Sequence, residues 1–558
     1  MTSTFHGLET MRRAISAQQS ALHTTGHNIA NANTPGFSRQ RVNFATTNAF
    51  PTPSLTPPLI PGQIGTGVKV SDVQRIRESF LDLQFRAENN QNGYWSAKHT
   101  AYMKVEDIMN EPTENGLANS MDRFWRSLQD LSVHPEDSGA RSVVRQQGIA
   151  LAETFNYTYN SLESVQRDYH QQVEVQKDHI NSLARQINDL NKLIAGIEPN
   201  GLVPNDLYDS RDKLVDELSL YLNVSVEQVN SGGLARESAA GRYTIKLLDE
   251  NGRDLGVTLV DGSRLEANEL HLSYDENTKL VDGMYFANPR AVEAAKDSSG
   301  KVDMDTLKEQ KGVAQFTNLD RFMPPGGLKA TIEAYGYMTG EMEKGIIPGM
   351  KAELDLMVFT FVEEFNKVHA SGWSLSEIET GGKFIQDDGT TEGYHFFTFN
   401  EGPNGVIGDN NIKGAAGMLR VSENILNELN TIAASGATNG NPLAVAFAGD
   451  GSNALALANV KDRNLEFNGT TTNVQSFYQG VIGNMAVATR ESERNMNNTE
   501  SLRDSVENRR QSVSGVSLDE EMANMIQFQH AYNAAARNIT VIDEMLDRII
   551  NGMGVVGR

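Results

Sequence analysis

Two pairs of residues have types and spacings that could support chemistry. His23 and His27 stand four residues apart, and two imidazoles at that spacing on one helix face can bind a metal ion. No third ligand lies near them and a glycine between them weakens a helix there, so we interpret them as polar residues that face a channel or a neighbouring molecule. Glu520 and Glu521 form a carboxylate pair, but adjacent helix positions point apart. Glu520 also fits the last position of a capping box that begins at Ser517.

No other motif in the sequence indicates catalysis. Gly62, Gly65 and Gly67 lack the spacing and the strand–turn–helix context of a dinucleotide-binding fingerprint. The sequence contains no Gly-x-Ser-x-Gly elbow, no His-Glu-x-x-His zinc motif and no calcium-loop pattern. It has 0 cysteines, which excludes disulfides, thiolate catalysis and zinc–thiolate sites. We therefore expect no catalytic residue, no cofactor, no metal site and no enzyme activity.

The composition limits the classes of partner. A formal net charge of −23 leaves no excess of Lys and Arg to neutralise nucleic-acid phosphates or an anionic membrane surface. No run of about 18 apolar residues predicts a membrane span. Residues 1–20 mix charged and apolar side chains, so they do not predict a Sec-type signal peptide. We expect neither a nucleic acid nor a membrane as partner.

The elements that most clearly position side chains are two helices at the ends of the chain. Residues 4–31 predict an amphipathic helix with an apolar seam of coiled-coil type. Asn31 and Pro35 end it, because proline cannot continue a helix. Residues 34–37 predict a type II turn with Gly36 at its third position.

Residues 517–551 predict a second and stronger amphipathic helix, in which nine of ten stripe positions spaced by 3 and 4 are apolar. We expect this helix to set the seam and the N-terminal helix to pack on it. Such stripes fit packing within one molecule, but their place at both ends favours joining the termini and burying them in an assembly. The predicted assembly interface comprises Leu8, Met11, Ile15, Leu22, Ile29, Asn31, Pro35, Gly36, Leu518, Met525, Phe528, Tyr532, Ile539, Ile542, Leu546 and Ile549.

Between its ends the chain changes pattern three times. From 155 to 197, apolar side chains and one glutamine divide 42 residues into 12 steps with a mean of 3.5, which predicts a heptad helix. Its length would be about 60 Å or more. Residues 231–325 alternate in polarity and carry Asn-Gly and Asp-Gly turns, so we interpret them as β-rich. Helical patterns return at 328–369 and at 453–514.

These patterns predict an α+β multidomain fold. It would contain a coiled coil of paired N- and C-terminal helices, an elongated and mainly helical bundle domain, and a β-rich inserted outer domain. The predicted boundaries are 1–45 plus 516–558 for the terminal coiled coil, 46–90 for an extended connector, 91–230 plus 326–515 for the helical middle domain, and 231–325 for the β-rich insertion.

Segments at both ends resemble the terminal signatures of the axial proteins of the bacterial flagellum, which are the rod, hook and hook-associated proteins. Residues 30–37 read Ala-Asn-Ala-Asn-Thr-Pro-Gly-Phe, and residues 515–552 begin Gly-Val-Ser-Leu-Asp-Glu-Glu-Met. Within the family, three further segments resemble the hook-associated members that form the first junction between hook and filament. The three segments are 65–70 together with 80–86, 205–218, and 452–459.

The resemblance spans the whole chain except the β-rich insertion, and Gly26–Asn31 departs mildly from the family's Asn-Asn-Leu-Ala-Asn form. It implies a structural role in an extracellular flagellum. Members of the family leave the cell through the flagellar export apparatus without a cleaved signal peptide and polymerise at the hook tip, where their terminal helices line the axial channel. The implied partners are further copies of the chain in a ring, the hook protein, hook-associated protein 3, and an export chaperone at the C-terminal helix.

Three alternatives stay open at this point. The first is another axial protein, such as a hook or distal rod protein. Those proteins are β-rich next to the connector, whereas this sequence predicts long heptad helices at 141–198 and 453–514. The second is a secreted enzyme on an axial scaffold, which would need a catalytic constellation within 231–450. The third is an adhesin that uses the β-rich insertion. A separate prediction is that amide side chains near both ends hydrogen-bond between subunits, namely Asn28, Asn31, Asn33, Gln527, Gln529, Asn533 and Asn538.

Overall fold

The computed structural model describes residues 5–51, 62–109, 116–298, 300–386, 392–400, 407–408, 411–436 and 446–552. Prolines 53, 57, 58 and 61 of the predicted connector lie outside these residues, as do the two ends of the predicted coiled-coil domain, residues 1–4 and 553–558. Within the described part of the chain, no helix is both long enough and apolar enough to cross a membrane.

The described residues form sixteen α-helices and seventeen strands. The helices are α1 (His6–Ala30), α2 (Ser79–Met109), α3 (Leu117–Val133), α4 (Ser138–Ile197), α5 (Asn205–Tyr221), α6 (Pro289–Ala294), α7 (Met304–Lys308), α8 (Leu319–Phe322), α9 (Gly327–Tyr335), α10 (Ile346–Ser371), α11 (Leu375–Thr380), α12 (Ala415–Met418), α13 (Glu423–Asn427), α14 (Ser452–Ala458), α15 (Val474–Ser514) and α16 (Leu518–Gly552).

The strands are β1 (Gln40–Thr46), β2 (Val68–Arg75), β3 (Val224–Val229), β4 (Arg242–Leu248), β5 (Asp254–Asp261), β6 (Glu266–Ala267), β7 (Glu269–Tyr274), β8 (Val281–Ala287), β9 (Val313–Phe316), β10 (Tyr337–Thr339), β11 (Met342–Lys344), β12 (Trp373–Ser374), β13 (Phe397–Phe399), β14 (Leu419–Val421), β15 (Ala433–Ser435), β16 (Leu465–Phe467) and β17 (Thr470–Thr472). The mixed helix and sheet architecture predicted from the sequence is confirmed. The coiled-coil geometry and the domain boundaries stay predictions.

The longest helix is α4, whose 60 residues confirm the predicted heptad helix. Nine of the twelve apolar stripe residues between 155 and 197 are buried, because a 3.5-residue period keeps them on one face. The helix begins at an N-cap aspartate, Asp137, whose side chain accepts a hydrogen bond from the backbone of Gly139. This helix is the axis on which the middle of the molecule packs.

Two sheets attach to α4 through buried asparagines rather than through apolar contacts alone. β3, β4, β5 and β6 form one sheet, and β7 to β11 form the other. The amide of Asn181 donates to the carbonyl of Leu270 at 2.9 Å and accepts from its N–H at 2.6 Å. Asn191 makes the same pair of bonds with Tyr243, at 2.8 and 3.0 Å. Each amide satisfies a buried peptide group that would otherwise cost free energy.

The β-rich part is longer than the predicted 231–325, because strands begin at Val224 and continue to Lys344. The hairpin β10–β11 interrupts the helix that the sequence predicted over 328–369. The glycines at its two ends explain the break: Gly336 and Gly345 have φ values of +117° and +142°, which only glycine adopts readily. A side chain at Gly336 would also lie 2.5 Å from a ring carbon of Pro348.

Two other predicted elements differ in the same way. The helix predicted over 453–514 is divided by the hairpin β16–β17, whose turn is Asn468–Gly469 with φ values of +47° and +82°. Both positive values are typical of a tight Asn-Gly hairpin. The predicted connector over 46–90 is not extended throughout, because α2 begins at Ser79. Its strand β2 pairs with β1 as an antiparallel neighbour.

Candidate functional site

The two terminal helices lie against each other, so the structure brings together both halves of the predicted interface. On α1 the most deeply buried side chains are small or polar: Ala17, Ala21, Thr24, Thr25 and Asn28. Small side chains let two helix backbones approach closely, and near the other end of the pair a Cβ added to Gly7 would lie 3.1 Å from the Cδ1 atom of Ile542.

The predicted apolar seam of α1 is displaced from the buried face by one residue. Its five members, Leu8, Met11, Ile15, Leu22 and Ile29, are only half-buried. Alanine and threonine fill the buried face of α1, which packs against α16, β1 and β2. The larger side chains therefore flank the contact, where one chain covers them only in part.

The C-terminal stripe behaves similarly. Six of its predicted members are half-buried along the contact with α1 or β1: Met525, Phe528, Tyr532, Ile539, Ile542 and Leu546. The ring of Phe528 meets that of Phe44 in β1 edge to face, with centroids 6.2 Å apart. The stripe's outermost members, Leu518 and Ile549, remain 48% and 43% exposed.

α16 also carries apolar side chains away from the predicted stripe, and these face solvent in the single chain. They are between 46% and 68% exposed, and they comprise Met522, Ile526, Val541, Met545 and Ile550. Together with the half-buried stripe they form a surface that we call the α16 apolar surface. They lie in two groups along the helix, Met522 with Ile526 and Val541 with Met545 and Ile550, and groups of exposed apolar side chains mark interaction sites.

The turn after α1 has the predicted type II geometry. Gly36 has φ of +85°, and the N–H of Phe37 donates to the carbonyl of Thr34 at 3.2 Å. Pro35 and Gly36 are exposed, whereas the Asn31 amide donates to the backbone carbonyl of His27 at 3.0 Å and holds the end of the helix. The turn thereby returns the chain from α1 into β1.

His27 takes part in this return. Its ring lies edge to face with Phe37 at 5.4 Å, and its Nε2 atom lies 3.3 Å from a carboxylate oxygen of Asp206. Over the described residues, no group of three potential ligands is placed to hold a metal ion.

Asn28 and Arg39 form the joint between the N-terminal segment and α16. The Asn28 side chain is 1% exposed; it pairs with the backbone of Gln40 at 2.8 and 3.0 Å and donates to Glu521 at 3.1 Å. The Arg39 guanidinium donates to Glu521 at 2.7 Å and to both oxygens of Glu520 at 2.9 and 2.7 Å. The backbone N–H of Arg39 donates to the carbonyl of Ser514, the last residue of α15.

Two predictions from the sequence are corrected by this joint. The carboxylate of Glu520 binds Arg39 with both oxygens, a contact that the predicted capping role did not include. Glu520 and Glu521 also act together, because the one guanidinium of Arg39 donates to both carboxylates. Asn28 was predicted to hydrogen-bond between subunits, but its amide is buried and bonded within the chain. A hydrogen bond that spans nearly the full length of the sequence could not be inferred from local pattern.

A second polar cluster connects the joint to the helical middle of the molecule. It contains four arginines and four aspartates with side chains no more than 15% exposed: Arg75, Arg77, Arg86, Arg510, Asp82, Asp209, Asp212 and Asp216. We call it the Arg–Asp cluster. Its residues come from β2, the segment between β2 and α2, α2, α5 and α15, so it ties together parts of the chain that are far apart in sequence.

Asp212 is the centre of the Arg–Asp cluster. It accepts from Arg75 at 2.9 Å and lies 3.5 and 3.4 Å from Arg77 and Arg86, with its side chain 2% exposed. Burial by itself would raise the pKa of Asp212, but the positive charges of Arg77, Arg75 and Arg86 lower it far below the ordinary value. The folded cluster therefore favours the ionised carboxylate.

The cluster gives a physical role to two segments noted in the sequence. Residues 80–86 and 205–218 were recognised there only as resemblance, and they supply five of the eight charged side chains. The signal that could have found them is the pattern of aspartates at 209, 212 and 216, which repeats every three or four residues on one face of α5.

Comparison with known proteins agrees with this architecture. The family described as the helical domain of flagellar hook-associated protein FlgK matches residues 102–385. Families described as flagellar basal body rod FlgEFG protein C-terminal and flagella basal body rod protein match 508–552 and 8–37, which contain most of α16 and α1. These matches define a structural protein of the flagellar axis.

Relatives that match along the full length identify the family within the structural proteins of the flagellar axis. Flagellar hook-associated protein 1 of Bacillus subtilis (strain 168) is 42% identical over 100% of both chains. The protein of the same name from Escherichia coli (strain K12) is 25% identical over 96% of this chain and 98% of its own. The chain belongs to the flagellar hook-associated protein 1 family.

A solved structure shows the same fold. The flagellar hook junction protein FlgK from Burkholderia pseudomallei superposes with a TM-score of 0.56 at 15% identity, covering 77% of this chain and 100% of that one. The predicted family and the predicted structural role in the flagellum, at the hook–filament junction, are confirmed. Relatives that carry the name of a structural hook-associated protein give no positive support for the enzyme alternative.

Proposed function

We propose that this chain assembles at the hook tip as the first layer of the junction, with α1 and α16 forming its inner, self-associating part. The observation that carries the proposal is the α16 apolar surface, five of whose side chains are about half exposed or more in the single chain. Fully covering a large apolar side chain is worth about 1.5–3 kcal/mol. Neighbouring copies that cover the remaining half of each side chain would gain about 1 kcal/mol per residue.

This proposal includes the partners and the route. Copies of the chain would pair through the α16 apolar surface in a ring, with the hook protein on one side and hook-associated protein 3 on the other. An export chaperone would cover α16 before secretion, because an amphipathic helix that lacks its partners exposes an aggregation-prone face. Export would use the flagellar apparatus without a cleaved signal peptide, and the assembled protein would be extracellular and without catalytic activity.

The test compares two substitutions on α16 that act on different contacts. Ile542→Asp places a charge against α1, where the Ile542 side chain approaches Gly7, and Met545→Asp places one on the exposed side, at a residue 58% exposed. Val487→Asp is the matched control, because Val487 is 66% exposed on α15 and away from the terminal helices. Each variant replaces the natural chain in cells, and its amount in purified hook–basal bodies is measured by immunoblot.

We expect both α16 variants to lose incorporation and the Val487 variant to keep it. Antibody labelling of isolated flagella should place the natural chain in a band at the boundary of hook and filament. Melting curves followed by circular dichroism should give the same melting temperature for the middle part of the molecule in all three variants. Normal incorporation of Ile542→Asp or Met545→Asp would refute the proposed interface.

A further inference from the structure

A cleft of about 1040 Å³ lies in the middle of the molecule, on residues other than the terminal helices and the Arg–Asp cluster. Its walls are α4, the turn between β7 and β8, the end of α9, β11, the start of α10 and residues 412–418. The volume reaches the upper range of small-molecule sites in proteins.

The walls of the cleft are fixed by hydrogen bonds. The carboxylate of Asp355 accepts from the backbone N–H groups of Gly414 and Ala416 at 2.8 and 2.9 Å, which holds residues 412–418 against α10. The amide of Gln166 donates to the carbonyl of Tyr335 at 2.9 Å, which holds α4 to α9. A site with these ties is largely formed before any ligand arrives.

Four cationic and three acidic side chains line the cleft in a chain whose net charge is −23, and the acids are Glu163, Glu343 and Asp355. Glu343 pairs with the fourth cation, Lys413, and Asp355 accepts the two backbone N–H groups described above. Arg167, Lys279 and Lys351 line it, and none of the three has a carboxylate partner within 4.0 Å in the described part of the chain. The Lys351 ammonium has only the Gln166 amide oxygen at 3.3 Å and the ring of Tyr159 at 4.5 Å. Burial lowers the pKa of Lys351, and the nearby carboxylates Glu163 and Asp355 offset this only in part.

Aromatic rings and free polar groups line the same space. His170 packs between Tyr274 and Tyr335, with ring centroids 5.1 and 5.2 Å away. The hydroxyl of Tyr159 and the side-chain amides of Asn160 and Asn277 line the cleft, and among the described residues they have no hydrogen-bond partner. The cleft therefore offers rings for packing, neutral groups for hydroxyls and, beside its carboxylates, three cations outside any ion pair within 4.0 Å among the described residues.

The wall formed by the turn between β7 and β8 suits a sugar better than an extended peptide. An extended peptide needs free backbone groups at a strand edge, but the turn between β7 and β8 bonds its own: the N–H of Lys279 donates to Asp275, and the N–H of Asp275 donates to Leu280. Lys279 has φ of +60°, so the turn presents its side chain from a left-handed backbone. We propose that the cleft binds a carboxylate-bearing saccharide, with Lys351 and Arg167 on the acid group and the tyrosines against the sugar rings.

The test is calorimetric titration of the full chain with three probes of similar length. The probes are an oligogalacturonate of two or three units, the corresponding neutral galactose oligomer, and a short polyglutamate. We expect binding of the oligogalacturonate and binding at least about tenfold weaker of the neutral sugar, because a charge-assisted contact is lost. Equal affinity for the neutral sugar, preference for polyglutamate, or absence of binding would each overturn the proposal.

Two variants locate the binding. Lys351→Met keeps most of the side-chain stem and removes the charge, so it should weaken oligogalacturonate binding by about tenfold. Lys192→Met is the control, because Lys192 pairs with Asp189 on an exposed face of α4. Thermal melting of both variants shows whether they remain folded, and a full-affinity Lys351→Met that is folded would refute the site.

Discussion

The Arg–Asp cluster makes a quantitative prediction through Asp212→Asn. The substitution keeps the size of the side chain and removes the charge that three arginines share: Arg75 at 2.9 Å, Arg77 at 3.5 Å and Arg86 at 3.4 Å. Removing one partner of a buried ionic group costs about 3–5 kcal/mol, because it leaves charge buried without compensation. The other aspartates of the cluster retain part of the compensation, so we expect the free energy of unfolding to fall by about 3 kcal/mol.

The assay is equilibrium unfolding in urea at pH 7, followed by far-ultraviolet circular dichroism. Asp189→Asn serves as control, because Asp189 and its partner Lys192 are 67% and 52% exposed and such surface pairs are worth less than about 1 kcal/mol. A loss below about 1 kcal/mol in Asp212→Asn would refute the reasoning. It would mean that the guanidiniums are solvated or compensated without Asp212.

The stability difference between the natural chain and Asp212→Asn depends on pH, and the sign of that dependence gives an independent check. The pKa of Asp212 is lower in the folded chain than in the unfolded one, so its stabilisation is present above the unfolded value of about 3.9 and is lost as the pH falls below it. Asp212→Asn has no such group to protonate. The stability difference between the natural chain and the variant should therefore shrink as the pH falls from 5 towards 3.

Three further predictions concern other parts of the molecule. A Cβ at Gly93 in α2 would lie 2.1 Å from a backbone oxygen of α5, so Gly93→Ala should lower the free energy of unfolding by about 2 kcal/mol or more. A Cβ at Gly196 in α4 would meet nothing within 4 Å, so Gly196→Ala should raise the free energy of unfolding by up to about 1 kcal/mol. Urea unfolding measures both changes. Burial lowers the pKa of His369 to about 4, so the unfolded chain binds the extra proton as the pH falls from about 6.5 to 4. The free energy of unfolding should then fall by about 3 kcal/mol through this one group. An NMR titration of His369 should show a neutral ring at pH 5.5, and a charged ring at that pH would contradict the prediction. Arg39→Met removes the guanidinium that holds Glu520 and Glu521. Amide hydrogen exchange should then become faster in the first turns of α16 and stay unchanged in α2. Exchange in α16 at the same rate as in the natural chain would exclude the joint.

The long helix α4 could be predicted from the sequence because its determinants are local. A stripe with a mean spacing of 3.5 residues needs only a partner surface, and almost any apolar partner satisfies it. The type II turn at 34–37 is likewise local, since proline and glycine fix its two central residues. Where composition within four or five residues decides the backbone, the prediction and the structure agree.

The hairpin β10–β11 and the joint at Arg39 could not be predicted, for two different reasons. The hairpin depends on Gly336 and Gly345 at positive φ, and a glycine within an apolar pattern does not reveal which backbone conformation it will adopt. The joint depends on partners such as Asn28 and Glu521, which are 493 residues apart. Charge pairing over such a separation is set by the fold and leaves no local pattern.

The joint also explains why the terminal helices need polar side chains at all. An apolar stripe with nearly equivalent steps tolerates a shift of one helix along the other by a turn, because each new register buries a similar area. A buried polar pair does not tolerate it, since a shift by one turn, about 5.4 Å, would leave Asn28 and Glu521 buried without partners. A single buried asparagine is known to fix the register of paired helices in this way. The apolar residues thus supply the area that neighbouring copies can cover, and Asn28, Arg39 and Glu521 determine how each copy presents it.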